Sequence, residues 1–311
     1  MIDLGSISPV TLLASILVAS TPILLAAIGE LVVEKSGVLN LGVEGMMIIG
    51  AICGFIGAVK TGSPLFGAVM GMTCGAILSL IFAVITQYLL ANQVASGLAL
   101  TLFGLGLASL LGTEFTGIRP PPMPDPDIPV LSRLPVLGEI LFTHDPILYI
   151  GLILPAVLWW FFRYSRAGLI LRAVGENHDA AHAIGYNVRM IRIAAIMFGG
   201  ACAGLGGAYL SLVRVPQWTE GMTAGAGWIA LAIVVFASWK PWRVLLGAWL
   251  FGGLTILQLN MQAAGISIGV EYLSMSPYLA TILVLILLST RKNRRHLDAP
   301  NCLGRGFHPT A

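Results

Sequence analysis

Nine long apolar runs are the feature that most constrains the fold of this chain. Each is close to the roughly 20 residues that a helix needs to cross a bilayer. Because a lipid core offers backbone groups no water, such runs span it as helices. Read to within a few residues, the runs cover 9–29, 43–59, 64–90, 93–113, 146–162, 190–213, 223–238, 244–262 and 272–290.

The composition supports a membrane protein. Of 311 residues, 57% are hydrophobic and 10% are charged, against about 25% charged in an average soluble domain. A soluble enzyme, a nucleic-acid-binding module and a disordered chain are excluded. The sequence predicts an all-α polytopic membrane helical bundle, one domain over 1–311, with about nine spans and a range of roughly eight to ten. The second and seventh runs are short and contain glycine, so either is a candidate for a broken or re-entrant span.

The basic residues lie unevenly between the loops. With the C-terminus inside, 13 of the 17 Lys and Arg residues fall on the inner side. By the positive-inside rule, this predicts an external N-terminus and a cytoplasmic C-terminus. The four basic residues on the outer side are Lys60, Arg119, Arg133 and Arg214. Trp239 and Trp242 flank one inner turn and are read as interfacial anchors.

Three segments outside the runs have distinct character. The external loop 114–145 contains seven prolines, which favour extended backbone. It is either a stiff connector or a docking surface for an external partner. The cytoplasmic loop 163–192 precedes the sixth span, and a cytoplasmic basic tail occupies 291–311.

The cytoplasmic loop predicts a short helix at about 178–184, between two flexible arms. Asn177 is a suitable N-cap, Asp179 falls in the first turn, and Gly185 suits the C′ position. Two turns of helix are not stable alone. This helix therefore needs a partner surface, within this chain or on another subunit.

The same residues carry a resemblance to a known family. Asp179, Ala180 and Ala181, followed by Gly185, resemble the EAA-x3-G loop of ABC importer permeases, with Asp in place of Glu. Further matches lie at 37–47 (GVLNLGVEGMM), 92–97 (NQVASG), 227–232 (GWIALA) and 236–242. Together they are similar to the shorter permease subunit of nucleoside-type importers, in the branched-chain and simple-sugar superfamily.

This resemblance implies a function, a location in the bacterial plasma (inner) membrane and a set of partners. A separate ABC ATPase would bind ATP and Mg and would grip a coupling helix, while this chain binds no cofactor. A second, related permease would complete a heterodimer, and an extracytoplasmic binding protein would deliver a nucleoside or sugar-like solute. The coupling residues would be Glu176, Asp179, Ala180, Ala181 and Gly185.

A polar set inside the spans is the candidate solute path. Glu44 is the one acidic residue that this map places within a span, and such groups are functional candidates. Asn40 precedes it by one turn, on the same side if the segment is helical. The alternative for Glu44 is a structural cap that bonds backbone amides or Lys35. The remaining members of the set are Asn92, Gln93, Trp228, Gln258 and Gln262. The amides suit a solute with many polar groups, but they equally suit bonds between helices.

Other classes of function find less support. A secondary transporter is the main alternative, but it needs coupling carboxylates or an internal repeat. An intramembrane enzyme lacks catalytic constellations. His178 and His182 have metal-pair spacing without a third ligand, and glycines in the sixth span form small-xxx-small pairs typical of tight helix contacts.

Overall fold

The computed structural model describes residues 9–124, 142–263 and 299–308, with isolated residues at 138, 275, 279, 282, 283 and 286. Every regular element in these ranges is helical, which confirms the predicted fold class. The helices are α1 (Pro9–Lys35), α2 (Val43–Thr61), α3 (Pro64–Gln87), α4 (Gln93–Gly112), α5 (Pro146–Tyr164), α6 (Arg166–Glu176), α7 (His178–Ala183), α8 (Val188–Tyr209), α9 (Ala226–Phe236) and α10 (Pro241–Ala263). A 3-10 turn, Thr113–Phe115, extends α4, and a π-helical segment, Leu210–Arg214, extends α8.

Seven of these helices are long and apolar enough to cross a membrane: α1 to α5, α8 and α10. They coincide with seven of the nine predicted runs, and the run 223–238 contains the shorter α9. The ninth run, 272–290, lies outside the continuous described ranges. So do residues 125–141 of the proline-rich loop and residues 291–298 and 309–311 of the basic tail.

Glycines set the packing at the centre, where α8 lies against α1, α2 and α3. A Cβ atom on Gly204 would overlap the carbonyl oxygen of Gly71, and one on Gly207 would overlap that of Met47. Backbones this close leave no room for any side chain. The small-residue contact predicted for the sixth span is therefore confirmed, and it joins three helices at once.

Helix α9 is a half-span. Its 11 residues extend for about 16 Å, roughly half of a hydrocarbon core. The segment 215–225 before it is irregular and has positive φ at Gly221, Ala224 and Gly225. The seventh predicted run is thus broken, because the chain travels part of the depth without helix and turns sharply before α9 begins.

Basic residues cluster at one end of the bundle, which we call the basic face. Lys35, Arg163 and Lys240 line a common cavity there, and the Arg189 guanidinium lies 5.5 Å from the Tyr88 ring at the end of α3. At the opposite face, Lys60 lies 6.0 Å from the Phe115 ring. These described members of the two predicted groups thus lie at opposite ends of the bundle, as the sequence predicts. That the basic face is cytoplasmic stays a prediction.

One expected flexible arm is a helix. Residues 166–176 form α6, whose start is capped by Ser165, the hydroxyl oxygen accepting from the Gly168 amide at 2.9 Å. The helix buries Leu171 and Val174 against the bundle. The expectation of a flexible arm was wrong because this segment is amphipathic. Gly168, Leu171 and Val174 recur at helical spacing and are buried, while its arginines stay at the surface.

The glycine contact gives a direct test. We expect Gly207→Ala to destabilise the protein by about 1–3 kcal/mol, because the added methyl group enters filled space. Gly106→Ala is the matched control, since it lies in α4 with no atom within 4 Å of the new Cβ. Thermal loss of the monodisperse size-exclusion peak in detergent measures both. Equal melting of the two variants would contradict this packing.

Candidate functional site

Glu44 holds the start of α9. It lies in the first turn of α2, with 4% of its surface exposed. Its carboxylate accepts hydrogen bonds from the Thr223 hydroxyl at 2.5 Å, the Gly225 amide at 2.9 Å and the Gly227 amide at 2.7 Å. The positive ends of two helices, α2 and α9, therefore meet at one buried negative charge.

This contact requires glycine at two positions, Gly225 and Gly227. Gly225 has φ +83, and a Cβ on Gly227 would lie 2.6 Å from the Glu44 backbone. Of the two interpretations left open for Glu44, its hydrogen bonds match the cap on backbone amides.

Asn40 belongs to a different contact. Its Nδ2 donates to Glu30 Oε2 at 3.3 Å, and its Oδ1 accepts from the Gly42 amide at 2.9 Å. Asn40 and Glu44 would lie on the same side of one helix only if residues 40–44 were helical, and residues 40–42 are not. The chain leaves α1 through Gly37, at φ +87, and residues 36–42 are turns rather than helix.

Two buried carboxylates were not placed inside a span by the sequence analysis. Glu30 and Glu34 lie in the last turns of α1, each 1% exposed. Glu34 Oε2 accepts from Trp239 Nε1 at 2.5 Å. One oxygen of each carboxylate has no hydrogen-bond partner among the described residues. The predicted span ended at residue 29, so these groups were assigned to a loop. The apolar run at 31–33 was the signal that the helix continues.

Trp239 is correspondingly not an interfacial anchor. It is 5% exposed and bonded to Glu34, whereas Trp242 is 45% exposed, as an anchor should be. The backbone explains the difference, because Ser238 and Trp239 both have positive φ and turn the indole inward. The end of α9 is thereby attached to α1.

The amides at the start of α4 have structural partners. Asn92 is exposed and caps α4, its Oδ1 accepting from the Ala95 amide at 3.0 Å. Gln93 is buried, and its Oε1 accepts from the Leu39 amide at 2.8 Å. Its Nε2 has no partner among the described residues. Gln93 thus joins α4 to the turn that holds Asn40.

The other residues of the predicted solute path are not gathered around Glu44. Trp228 directly follows Gly227, but half of its surface is exposed. Gln258 and Gln262 lie in the far part of α10, beyond Gly252, which touches Ser20 of α1. Since α10 runs antiparallel to α1, Gln258 lies about 24 Å along the bundle from Glu30.

Helix α7 has the predicted caps. Asn177 Oδ1 accepts from the Ala180 amide at 2.9 Å, and Gly185, at φ +95, donates from its amide to the His182 carbonyl at 2.8 Å. Asp179, Ala180 and Gly185 are exposed, while Ala181 is buried. Glu176, also exposed, accepts from Asn301 Nδ2 at 2.7 Å. The helix therefore offers one free side on the basic face.

A buried arginine joins α7 to the turn after α1. Arg192 has no exposed surface. Its guanidinium donates to the Ser36 carbonyl at 3.2 Å, the Arg305 carbonyl at 3.0 Å and His178 Nδ1 at 3.2 Å. Since guanidinium only donates, His178 Nδ1 is the acceptor. Burial, and next the charge of Arg192, lower the pKa of His178 below its ordinary 6.5.

The segment 299–308 covers α7 from the other side. The Phe307 ring lies 5.4 Å from His178 and 5.2 Å from His182, in a small buried cluster with Val174, Ala181 and Val188. Both histidines thus pack on an aromatic ring. Within the described ranges, no group of three or more His, Cys, Asp or Glu residues is placed to hold a metal ion.

Comparison with known proteins identifies the class to which this architecture belongs. Residues 12–289 match the family described as branched-chain amino acid transport system / permease component, so the chain belongs to that family. It is a multi-pass membrane protein and the permease subunit of an ABC importer, and the alternative of a secondary transporter is not favoured. No solved structure matches.

Particular relatives cover nearly the whole chain. A Haloferax volcanii permease protein, TsgC13, whose name assigns it to a glucose ABC transporter, is 39% identical over 93% of this chain and 95% of its own. The nucleoside ABC transporter permease protein NupC of Lactococcus lactis is 34% identical, over 89% and 91%. The guanosine ABC transporter permease protein NupQ of Bacillus subtilis is 35% identical, over 86% and 89%.

The buried histidine predicts a pH dependence. The folded-state pKa of His178 lies below 6.5, so between that pKa and pH 6.5 the unfolded chain binds more protons than the folded chain. The neutral ring stabilises the fold above pH 6.5, and that stability is lost as the pH falls through the folded-state pKa. We expect His178, identified by the signal lost in His178→Gln, to titrate below 6.5 by NMR. A pKa at or above 6.5 would contradict the buried contact with Arg192.

Proposed function

We propose that this subunit imports a nucleoside, or a chemically similar sugar-like solute, through a bacterial plasma membrane. The names of the relatives support this solute class, since two refer to nucleosides and one to glucose. The grouping of 13 of 17 basic residues supports a cytoplasmic basic face and C-terminus. A neutral, hydrogen-bonding solute also suits the amide side chains of the predicted path.

The partners that we propose follow from α7. A separate ABC ATPase, which binds ATP and Mg, docks on the exposed side of the helix at Asp179, Ala180 and Gly185, with Glu176 at its edge. The observation that carries this proposal is a capped two-turn helix, buried on one side and exposed on the other, on the basic face. A second, related permease and an extracytoplasmic binding protein complete the importer.

The motion that we propose begins at α7 and reaches the interior. Arg192 links α7 to Ser36 in the turn after α1. That turn leads through Asn40 to Glu44, which holds α9. Docking and release of the ATPase would therefore shift the ends of α2 and α9 together. Asn40, Glu44, Asn92, Gln93 and Trp228 lie on or beside this connection.

We infer that the solute passes the irregular segment 215–225 and the start of α9. Half-helix ends with exposed backbone groups serve as polar sites in transporters. The Nε2 of Gln93 is a donor without a partner among the described residues. Gln258 and Gln262 would serve a separate, more distant part of the path.

Uptake by the reconstituted complex tests this function. Proteoliposomes containing both permeases and the ATPase, with binding protein outside, should accumulate labelled nucleoside only with internal ATP. Unlabelled nucleosides should compete more strongly than pentoses or glucose. Uptake without the ATPase, driven by a proton gradient, would contradict the mechanism. Stronger competition by glucose would contradict a nucleoside as the solute and favour a sugar.

Glu44→Gln separates a cap from a solute contact. The glutamine side chain would direct its NH2 group at one of the three donors from which Glu44 now accepts, so that hydrogen bond would be lost. Loss of this bond to a charged group is expected to cost about 1.5–3 kcal/mol. We expect the maximal uptake rate to fall several-fold with an unchanged KM. The control is Glu114→Gln, an exposed carboxylate in the 3-10 turn after α4, outside the proposed solute path. A raised KM with an unchanged maximal rate would instead indicate direct solute binding.

Gly185→Leu tests the docking side of α7. Nothing lies within 4 Å of the new Cβ, so the chain should still insert and fold, with some backbone strain from φ +95. Gly117→Leu is the control, with φ +81 and equal space but on the opposite face. We expect ATP-dependent uptake to fall about tenfold, or 1.4 kcal/mol of coupling, in Gly185→Leu alone. Normal uptake would exclude this docking surface.

A further inference from the structure

A cavity of about 530 Å³ on the basic face gathers five cationic side chains. They are Lys35, Arg163, Arg172, Lys240 and Arg243. Glu176 is the one carboxylate that the described lining contributes, and its Oε2 already accepts from Asn301. The described lining therefore carries five cationic groups against one carboxylate, although the whole chain has a net charge of only +3.

The fold brings these charges together at the ends of spans. Lys35 ends α1, Arg163 lies in the last turn of α5, and Lys240 and Arg243 flank the start of α10. The Arg172 guanidinium reaches back from α6 to the Phe162 carbonyl at 3.3 Å. The cavity thus lies where the spans leave the membrane, at the depth of lipid headgroups.

Two exposed tryptophans also line the cavity. Trp159 and Trp242 are 41% and 45% exposed, and both line it. Exposed indoles at this depth are typical of the membrane interface. Further into the bilayer, α5 and α10 expose apolar side chains such as Ile153 and Leu246. A cationic pocket therefore continues into two apolar helix surfaces.

We propose that this cavity binds the phosphate headgroup of an anionic phospholipid, such as phosphatidylglycerol, with its acyl chains along α5 and α10. Basic pockets between spanning helices provide this kind of recognition. Arginine offers forked donors that match phosphate oxygens. An acidic protein surface would satisfy the charges but not the exposed indoles and apolar surfaces beside them. The inference requires only that the chain lie in a membrane.

Lipid binding to the purified full-length chain tests the proposal. Native mass spectrometry compares phosphatidylglycerol with phosphatidylcholine of the same acyl chains. The test variant is R163Q/R243Q, since both side chains are exposed. Its control, K60Q/R119Q, removes two exposed charges from residues outside this cavity.

We expect phosphatidylglycerol to bind at least tenfold more tightly than phosphatidylcholine. R163Q/R243Q should weaken its binding about tenfold or more, and K60Q/R119Q should leave it unchanged. Equal binding of both lipids, or no effect of R163Q/R243Q, would overturn the proposal. If glycerol phosphate displaced phosphatidylglycerol at concentrations equal to those of the lipid, the site would be one for free phosphate, and the lipid proposal would be overturned. Loss of ATPase co-purification with unchanged lipid binding would overturn it in favour of protein docking.

Discussion

The carboxylate of Glu44 is the interaction on which the interior of this permease depends. A half-helix that begins inside a membrane protein exposes amide groups that water cannot reach, and such groups are costly to leave unpaired. Glu44 accepts from two of these amides and from Thr223. Because it also lies in the first turn of α2, its charge is stabilised by two helix ends. The irregular path of residues 215–225 is possible only with such a partner.

Helix α9 is attached at both ends to carboxylates from other helices. Glu44 holds its start, and Glu34 of α1 holds Trp239 just beyond its end. The turn between α1 and α2 is in turn attached to Arg192 and, through it, to His178 of α7. A short helix on the basic face and a half-helix inside the bundle are therefore connected by a few named hydrogen bonds. This is the physical basis for proposing that they move together.

Local rules predicted the spans and α7 well. Apolar runs identify spanning helices wherever lipid imposes them, and Asn177 and Gly185 have caps determined by adjacent backbone. Glu30 and Glu34 were missed, and Trp239 was wrongly assigned to the membrane interface, because their partners lie far away in sequence. Arg192 looked like one more basic residue of a loop. Only the folded chain shows that it is fully buried, with partners at Ser36, His178 and Arg305.

Hydrogen exchange at the Gly225 and Gly227 amides, resolved to single residues in the intact complex, measures most directly whether Glu44 holds α9. We expect both amides to be protected in the native chain. We expect Glu44→Gln to increase their exchange about tenfold or more, the equivalent of one lost charge-assisted bond, while amides in the middle of α2 stay protected. Rapid exchange in the native chain, or protection that is unchanged in Glu44→Gln, would contradict the claim that this carboxylate holds the start of α9.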